Sequence, residues 1–148
     1  MKVINKSNYA LPKYETRWAA GMDVSANITE PIILGMLERT AVSTGLFVEV
    51  PMGSELQVRP KSGLAIKHGI TVLNTPGTID ADYRGEIMVI LVNLSKDPFT
   101  ITPGMRIAQL VWAEVGSVEW KPVTDISVTD RGEGGMGSTG TDGRKING

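Results

Sequence analysis

Short apolar stretches, each closed off by glycine, proline or a polar pair, recur along the chain: residues 45–51 (GLFVEVP), 70–73 (ITVL), 86–94 (EIMVILVNL), 99–102 (FTIT) and 105–115 (MRIAQLVWAEV). Each is rich in β-branched or aromatic residues, and none keeps the three-to-four spacing of an amphipathic helix over a full helical length. Pro76-Gly77 and Pro103-Gly104 are signals for type II turns, proline presetting φ and glycine accepting φ > 0. Short strands punctuated by turns predict an all-β sandwich or barrel. Residues 31–39 (PIILGMLER) are ambiguous, with Pro31 and Gly35 weakening a helix, and a brief helical turn is expected near residues 62–67. Residues 87–92 (IMVILV) do not alternate, which predicts cover on both faces. A sandwich core and a subunit interface satisfy that equally.

The pattern changes after Asp130. Residues 131–148 hold seven glycines and only two apolar side chains, Met136 and Ile146. Such a stretch buries too little to offset its ordering entropy, so a body over 1–130 and a mobile glycine-rich tail over 131–148 are expected.

Composition narrows the chemistry. With 148 residues the chain suits one domain, and 15 Lys+Arg against 16 Asp+Glu give a formal charge of −1, which argues against a general nucleic-acid or anionic-membrane binder. No cysteine and a single histidine, His68, exclude disulfides, thiolate zinc sites and histidine-cluster metal sites within the chain. No leader pattern or bilayer-length apolar run is seen, so a soluble, cytoplasmic protein is expected.

Several groups could carry chemistry. Gly132 to Gly137 satisfies GxGxxG literally, but lacks the strand, helix and later acid of a βαβ unit, so the dinucleotide reading is rejected. Its glycine amides could still form an anion nest, with Arg131, Ser138 and Thr139 as further donors; on composition alone a floppy tail is the stronger reading. Asp80 and Asp82 flank Ala81 beside Tyr83. In an extended chain they share a face and repel, and one could hold a water as general base; a solvated turn is as good a reading. Arg59-Pro60-Lys61-Ser62-Gly63 suits a phosphate or a surface loop. Gln109, in an apolar strand, is by default a hydrogen-bonded core amide. Asp23 either caps a turn or faces a metal, the turn being favoured. His68, Trp18, Trp112 and Trp120 read as packing or surface residues.

In order, these groups carry more. AAGMDVSA (19–26), RPKSGLA (59–65), LNTPGTIDADYRGEI (73–87), PGMRIAQLV (103–111) and RGEGGMGSTG (131–140) resemble the five ordered motifs of the trimeric all-β dUTPase family, along most of the chain. The resemblance implies an all-β, jelly-roll-like distorted barrel or sandwich and a homotrimer whose active sites are each shared between three chains. It implies Mg²⁺-dependent hydrolysis of dUTP to dUMP and pyrophosphate, limiting uracil in DNA and supplying dUMP for thymidylate synthesis. By the same resemblance Asp80 would deprotonate the water that attacks the α-phosphorus, and Tyr83 would pack under the deoxyribose. Asn74, Thr78 and Ile79 would line a hairpin reading the uracil edge, with Met88 close by. Lys61, Ser62, Gly63 and Gln109 would contact phosphates. Arg131 would reach the γ-phosphate, with Gly135, Met136 and Ser138 in the closing tail. Asp23 would hold Mg²⁺ through water only. The family commonly has Arg at the position of Lys61 and an aromatic at that of Met136. A dCTP deaminase would share the fold but needs an acid at the base amino group, for which no clear pattern is present; the intact Asp80 and Tyr83 argue against a non-catalytic nucleotide sensor or trimeric scaffold.

Overall fold

A computed structural model describes residues 1–136, 138, 140 and 143. Gly137, Thr139 and Ile146, invoked above, lie outside the described residues. The chain divides into two units, Met1–Gly116 and Ser117–Gly148.

The first unit carries ten strands and, among the described residues, one helix. The strands are β1 (Lys2–Asn5), β2 (Met22–Ser25), β3 (Ile32–Leu34), β4 (Arg39–Glu49), β5 (Ser54–Arg59), β6 (Ile70–Val72), β7 (Gly77–Ile79), β8 (Glu86–Asn93), β9 (Phe99–Ile101) and β10 (Arg106–Glu114). Helix α1 spans Ser62–His68, at the expected place. Two four-stranded sheets run β1-β4-β8-β6 and β2-β10-β5-β7, with β3-β9 as a separate pair. All pairs are antiparallel. Neither large sheet closes on itself, so the architecture is an open, jelly-roll-like sandwich.

Alternation explains the core. Leu56 and Val58 of β5, Ile87, Val89 and Leu91 of β8, Val24 and Leu110 join Leu34 and Ile101 in one buried cluster drawn from all three sheets. The apolar run in β8 is covered unequally: Ile87, Val89 and Leu91 are fully buried, whereas Met88 is exposed and Ile90 half-buried. Within one chain, only one face of that run is fully covered. Asn93, fully buried at the end of β8, donates through Nδ2 to Leu34 O at 2.9 Å and Asp97 O at 2.8 Å, and its Oδ1 accepts from Ser95 N at 2.8 Å.

The two turn signals fared differently. At Pro103-Gly104, Met105 N donates to Thr102 O and Gly104 has φ 76°, as a type II turn requires. At Pro76-Gly77 the Thr75–Pro76 peptide is cis and Gly77 is not in the left-handed region, so no type II turn forms there. Nor is this segment a paired hairpin: β6 pairs with β8 and β7 with β5, so residues 73–76 carry the chain from one sheet to the other.

Candidate active site

Two chemically distinct groups lie at opposite ends of β5. At one end, β2, β5 and β10 run side by side, and Gln109 of β10 stands opposite Asp23 of β2 and Arg59 of β5. The largely buried Asp23 carboxylate is the centre of this group. Lys61 Nζ donates to its Oδ1 at 2.5 Å, Arg106 lies 3.2 Å from its Oδ2, and Gln109 Nε2 reaches Oδ1 at 3.4 Å. Gly21 brings the backbone against Gln109, where an added Cβ would meet the amide oxygen at 3.2 Å.

Arg106 is a member that sequence reasoning did not single out. Alternation puts residues 106 and 109 on opposite faces of a strand. The β10–β2 register shifts between Arg106 and Ala108, and this bulge inserts Ile107 as an extra residue. It restores Arg106 to the face of Gln109, so both reach the same carboxylate. The one usable signal was that Arg106 stands inside the 103–111 motif.

Lys61 is also the residue before α1. The helix starts without a side-chain cap, so the amides of Ser62 and Gly63 receive no protein side chain, and a Cβ at Gly63 would meet open space. Here a lysine, an arginine and an amide converge around one carboxylate, and the lysine directly precedes the uncapped start of α1. That arrangement can receive an anion while Asp23 keeps the cations aligned.

The second group follows β7. Asp80 and Asp82 do not lie in extended chain: Tyr83 N donates to Asp80 O at 3.2 Å, closing a turn. Both aspartates line an open cleft with Met52, Ser54, Glu55 and Val115, and Asp80 is exposed. Tyr83 Oη donates to Glu86 O at 3.0 Å. Asn74 folds over Gly77, where an added Cβ would meet its Nδ2 at 3.2 Å. Thr78 is exposed and Ile79 buried in β7, and Met88 lies on the outward face of β8 with Glu86 and Ile90.

The two groups do not meet within one chain. Ile79 stands opposite Leu56 and Gln109 opposite Arg59, so Asp80, continuing toward the Glu55 end, is displaced along β5 by about 13 Å at the usual strand rise. In the second unit, Arg131 Nε donates to Gly134 O at 2.8 Å, Gly134 N donates to Arg131 O at 3.0 Å and Ser138 N to Gly135 O at 2.9 Å. Met136 has φ 34° and is exposed.

Among the described residues no three His, Cys, Asp or Glu side chains come together as a metal cage, and none of the helices is long and apolar enough to cross a membrane.

The first unit is thus an open all-β sandwich with a cluster of cations around Asp23 at one end of β5 and an acidic turn at the other. The comparisons specify it further. A model of the dUTPase family matches residues 7–140. The chain is 60% identical over 140 residues to the deoxyuridine 5'-triphosphate nucleotidohydrolase of Cytophaga hutchinsonii, covering 95% of this chain and 91% of that one. It is 57% identical over 140 residues to the enzyme of the same name from Fusobacterium nucleatum, covering 95% and 96%. Its fold matches the Staphylococcus bacteriophage 80alpha dUTPase G164S mutant with dUpNHpp at TM-score 0.81 and 25% identity, covering 95% of this chain and 98% of that one. The chain belongs to the dUTPase family, a family of enzymes.

Proposed function

We propose that this protein hydrolyses dUTP to dUMP and pyrophosphate in sites shared between copies of the chain in a homotrimer. Family membership supports the reaction; the separation of the Asp80 turn from the Asp23–Lys61–Arg106–Gln109 group supports the sharing. A general base must stand within about 3 Å of the water it deprotonates. One chain cannot hold a triphosphate at Lys61 and aim water at it from Asp80. A second copy supplies the missing half, and a trimer interface would also cover the outward face of β8.

In this reading Lys61, Gln109 and the amides of Ser62 and Gly63 bind the phosphates, with Arg106 bracing Asp23 so that Lys61 is held in place. Asp80 takes a proton from water as its oxygen bonds to the α-phosphorus. The bond from that phosphorus to the bridging oxygen breaks, and pyrophosphate leaves with the electron pair. Tyr83 packs under the deoxyribose and leaves no room for a 2′-hydroxyl. The backbone from Asn74 through Thr78 and Ile79, with Met88 nearby, reads the uracil edge. A donor aimed at the uracil oxygen rejects cytosine, whose amino group would leave it unpaired. Arg131, Gly135, Met136 and Ser138 belong to a tail over 131–148 that closes over bound substrate, Met136 covering the base through sulfur and dispersion contact.

The donor set suits Mg²⁺ held chiefly by the substrate. Mg²⁺ keeps several waters and takes one or two carboxylates beside phosphate oxygens, and the carboxylate in the cation cluster, Asp23, is the residue that would hold such a water. When bound, the ion would neutralise charge on the phosphates.

The deciding measurement is pyrophosphate release from dUTP with and without Mg²⁺, with dCTP, UTP and dTTP as competitors. Release specific to dUTP is expected. Ammonia from dCTP would point to a deaminase, and binding without turnover to a sensor.

A further inference from the structure

We infer that Gly85 and Glu86 are positioning residues that seat the Tyr83 ring, and thereby set how strictly the site rejects a ribose; this rests on the reading of Tyr83 as the residue packed under the sugar. The seat begins in an irregularity of β4. Ser43 stands opposite Met88 and Phe47 opposite Glu86, with the register shifting between them. Four steps along β4 therefore face two along β8, and the bulge leaves backbone donors without ladder partners. Glu86 takes them up: its Oε1 accepts from Thr44 N at 3.1 Å, from Gly45 N at 2.7 Å and from the Ser43 hydroxyl. Gly45 makes the bulge possible, with φ 69° and an imagined Cβ 2.7 Å from Ser7 N. The carboxylate thus bolts the first residue of β8 to the bulged strand.

The backbone of that bolted residue is what holds the tyrosine, since Tyr83 Oη donates to Glu86 O at 3.0 Å. The ring lies directly on Gly85, where an added Cβ would meet Tyr83 Cε2 at 2.8 Å and crowd Cζ and Oη more closely still. Gly85 is not in the left-handed region, so its small size, not its backbone freedom, is what the ring needs. One side of the ring is defined by a missing side chain and its tip by a carbonyl whose own position depends on the Glu86 carboxylate. A gate against a single hydroxyl group works only if the ring cannot retreat, and a misplacement of about 1 Å at a site can cost up to about a hundredfold in rate.

The test is the ratio of kcat/KM for dUTP to that for UTP in the full-length protein. Glu86→Ala and Gly85→Ala are each expected to lower it about tenfold, chiefly by admitting UTP. Glu86→Gln keeps an acceptor of the same reach and should return the ratio to about twofold of the parent. Should Glu86→Ala fail to fold, Glu86→Asp, which shortens that reach, carries the same prediction. Tyr83→Ala separates the two readings. If it leaves the ratio unchanged, Tyr83 is not the gate. If Tyr83→Ala collapses the ratio while the Gly85 and Glu86 variants lose dUTP and UTP turnover in equal proportion, or lose neither, the seat is overturned. In the Tyr83→Ala background, Glu86→Ala should change the ratio no further.

Discussion

Asp23 and Asp80 have opposite surroundings, and each follows from what its carboxylate touches. Asp23 is engaged by Lys61, Arg106 and Gln109, which suits a charge that organises cations. The Asp80 side chain is exposed and free to hold water, which suits a base. Asp80→Asn should therefore leave thermal unfolding and nucleotide binding near parental values while kcat falls at least about a hundredfold; calorimetry and pyrophosphate release measure the two sides. Lysine at 61 brings a compact charge where the family commonly has a bidentate guanidinium, and Asp23, 2.5 Å away, supplies part of the orientation a planar fork would provide. At the surface, the Lys2 ammonium hydrogen-bonds Glu49 and holds its carboxyl below the ordinary range, with the charges of Lys2 and Arg84 adding to the effect and burial opposing it.

Among the elements, bulges do the placing. The shift in β10 brings Arg106 onto the face of Gln109, and the shift in β4 creates the donors that Glu86 satisfies. Neither is visible as a break in apolar alternation: in β10 the inserted residue is Ile107, itself fully buried, so the strand reads as continuous. The end of β8 depends on Asn93, whose amide serves three backbone partners from two other segments. Asn93→Leu strands the buried Leu34 carbonyl and removes the acceptor of the Ser95 amide, and should lower unfolding stability by about 2–4 kcal/mol. Urea denaturation with an unchanged m-value is the measurement.

At the level of the molecule, the separation along β5 has a direct consequence. Asp80→Asn and Lys61→Ala subunits, each inactive alone, should regain activity when unfolded together and refolded, because mixed assemblies contain sites with both intact halves. With random mixing at equal amounts about one site in four is restored. No recovery would mean that both halves must come from one chain. The second unit has its own prediction. Truncation after Asp130 should leave the melting temperature of the body almost unchanged, since the buried cluster lies wholly before Gly116, and should collapse turnover on dUTP.

Local pattern by itself determined that this is an all-β chain, that a short helix follows Lys61, that Pro103-Gly104 turns the chain, and which five motifs occur in which order. Those properties depend on side-chain branching, turn chemistry and residue identity, all of which are local. It could not show that residues 73–76 cross between sheets rather than form a hairpin, because strand pairing is a contact between distant segments. It could not place Arg106 beside Asp23, because one bulged residue reverses the facing of everything before it. Nor could it separate Asp80 from Lys61, since their distance is measured along a third strand, β5, and is decided only when the sheet assembles.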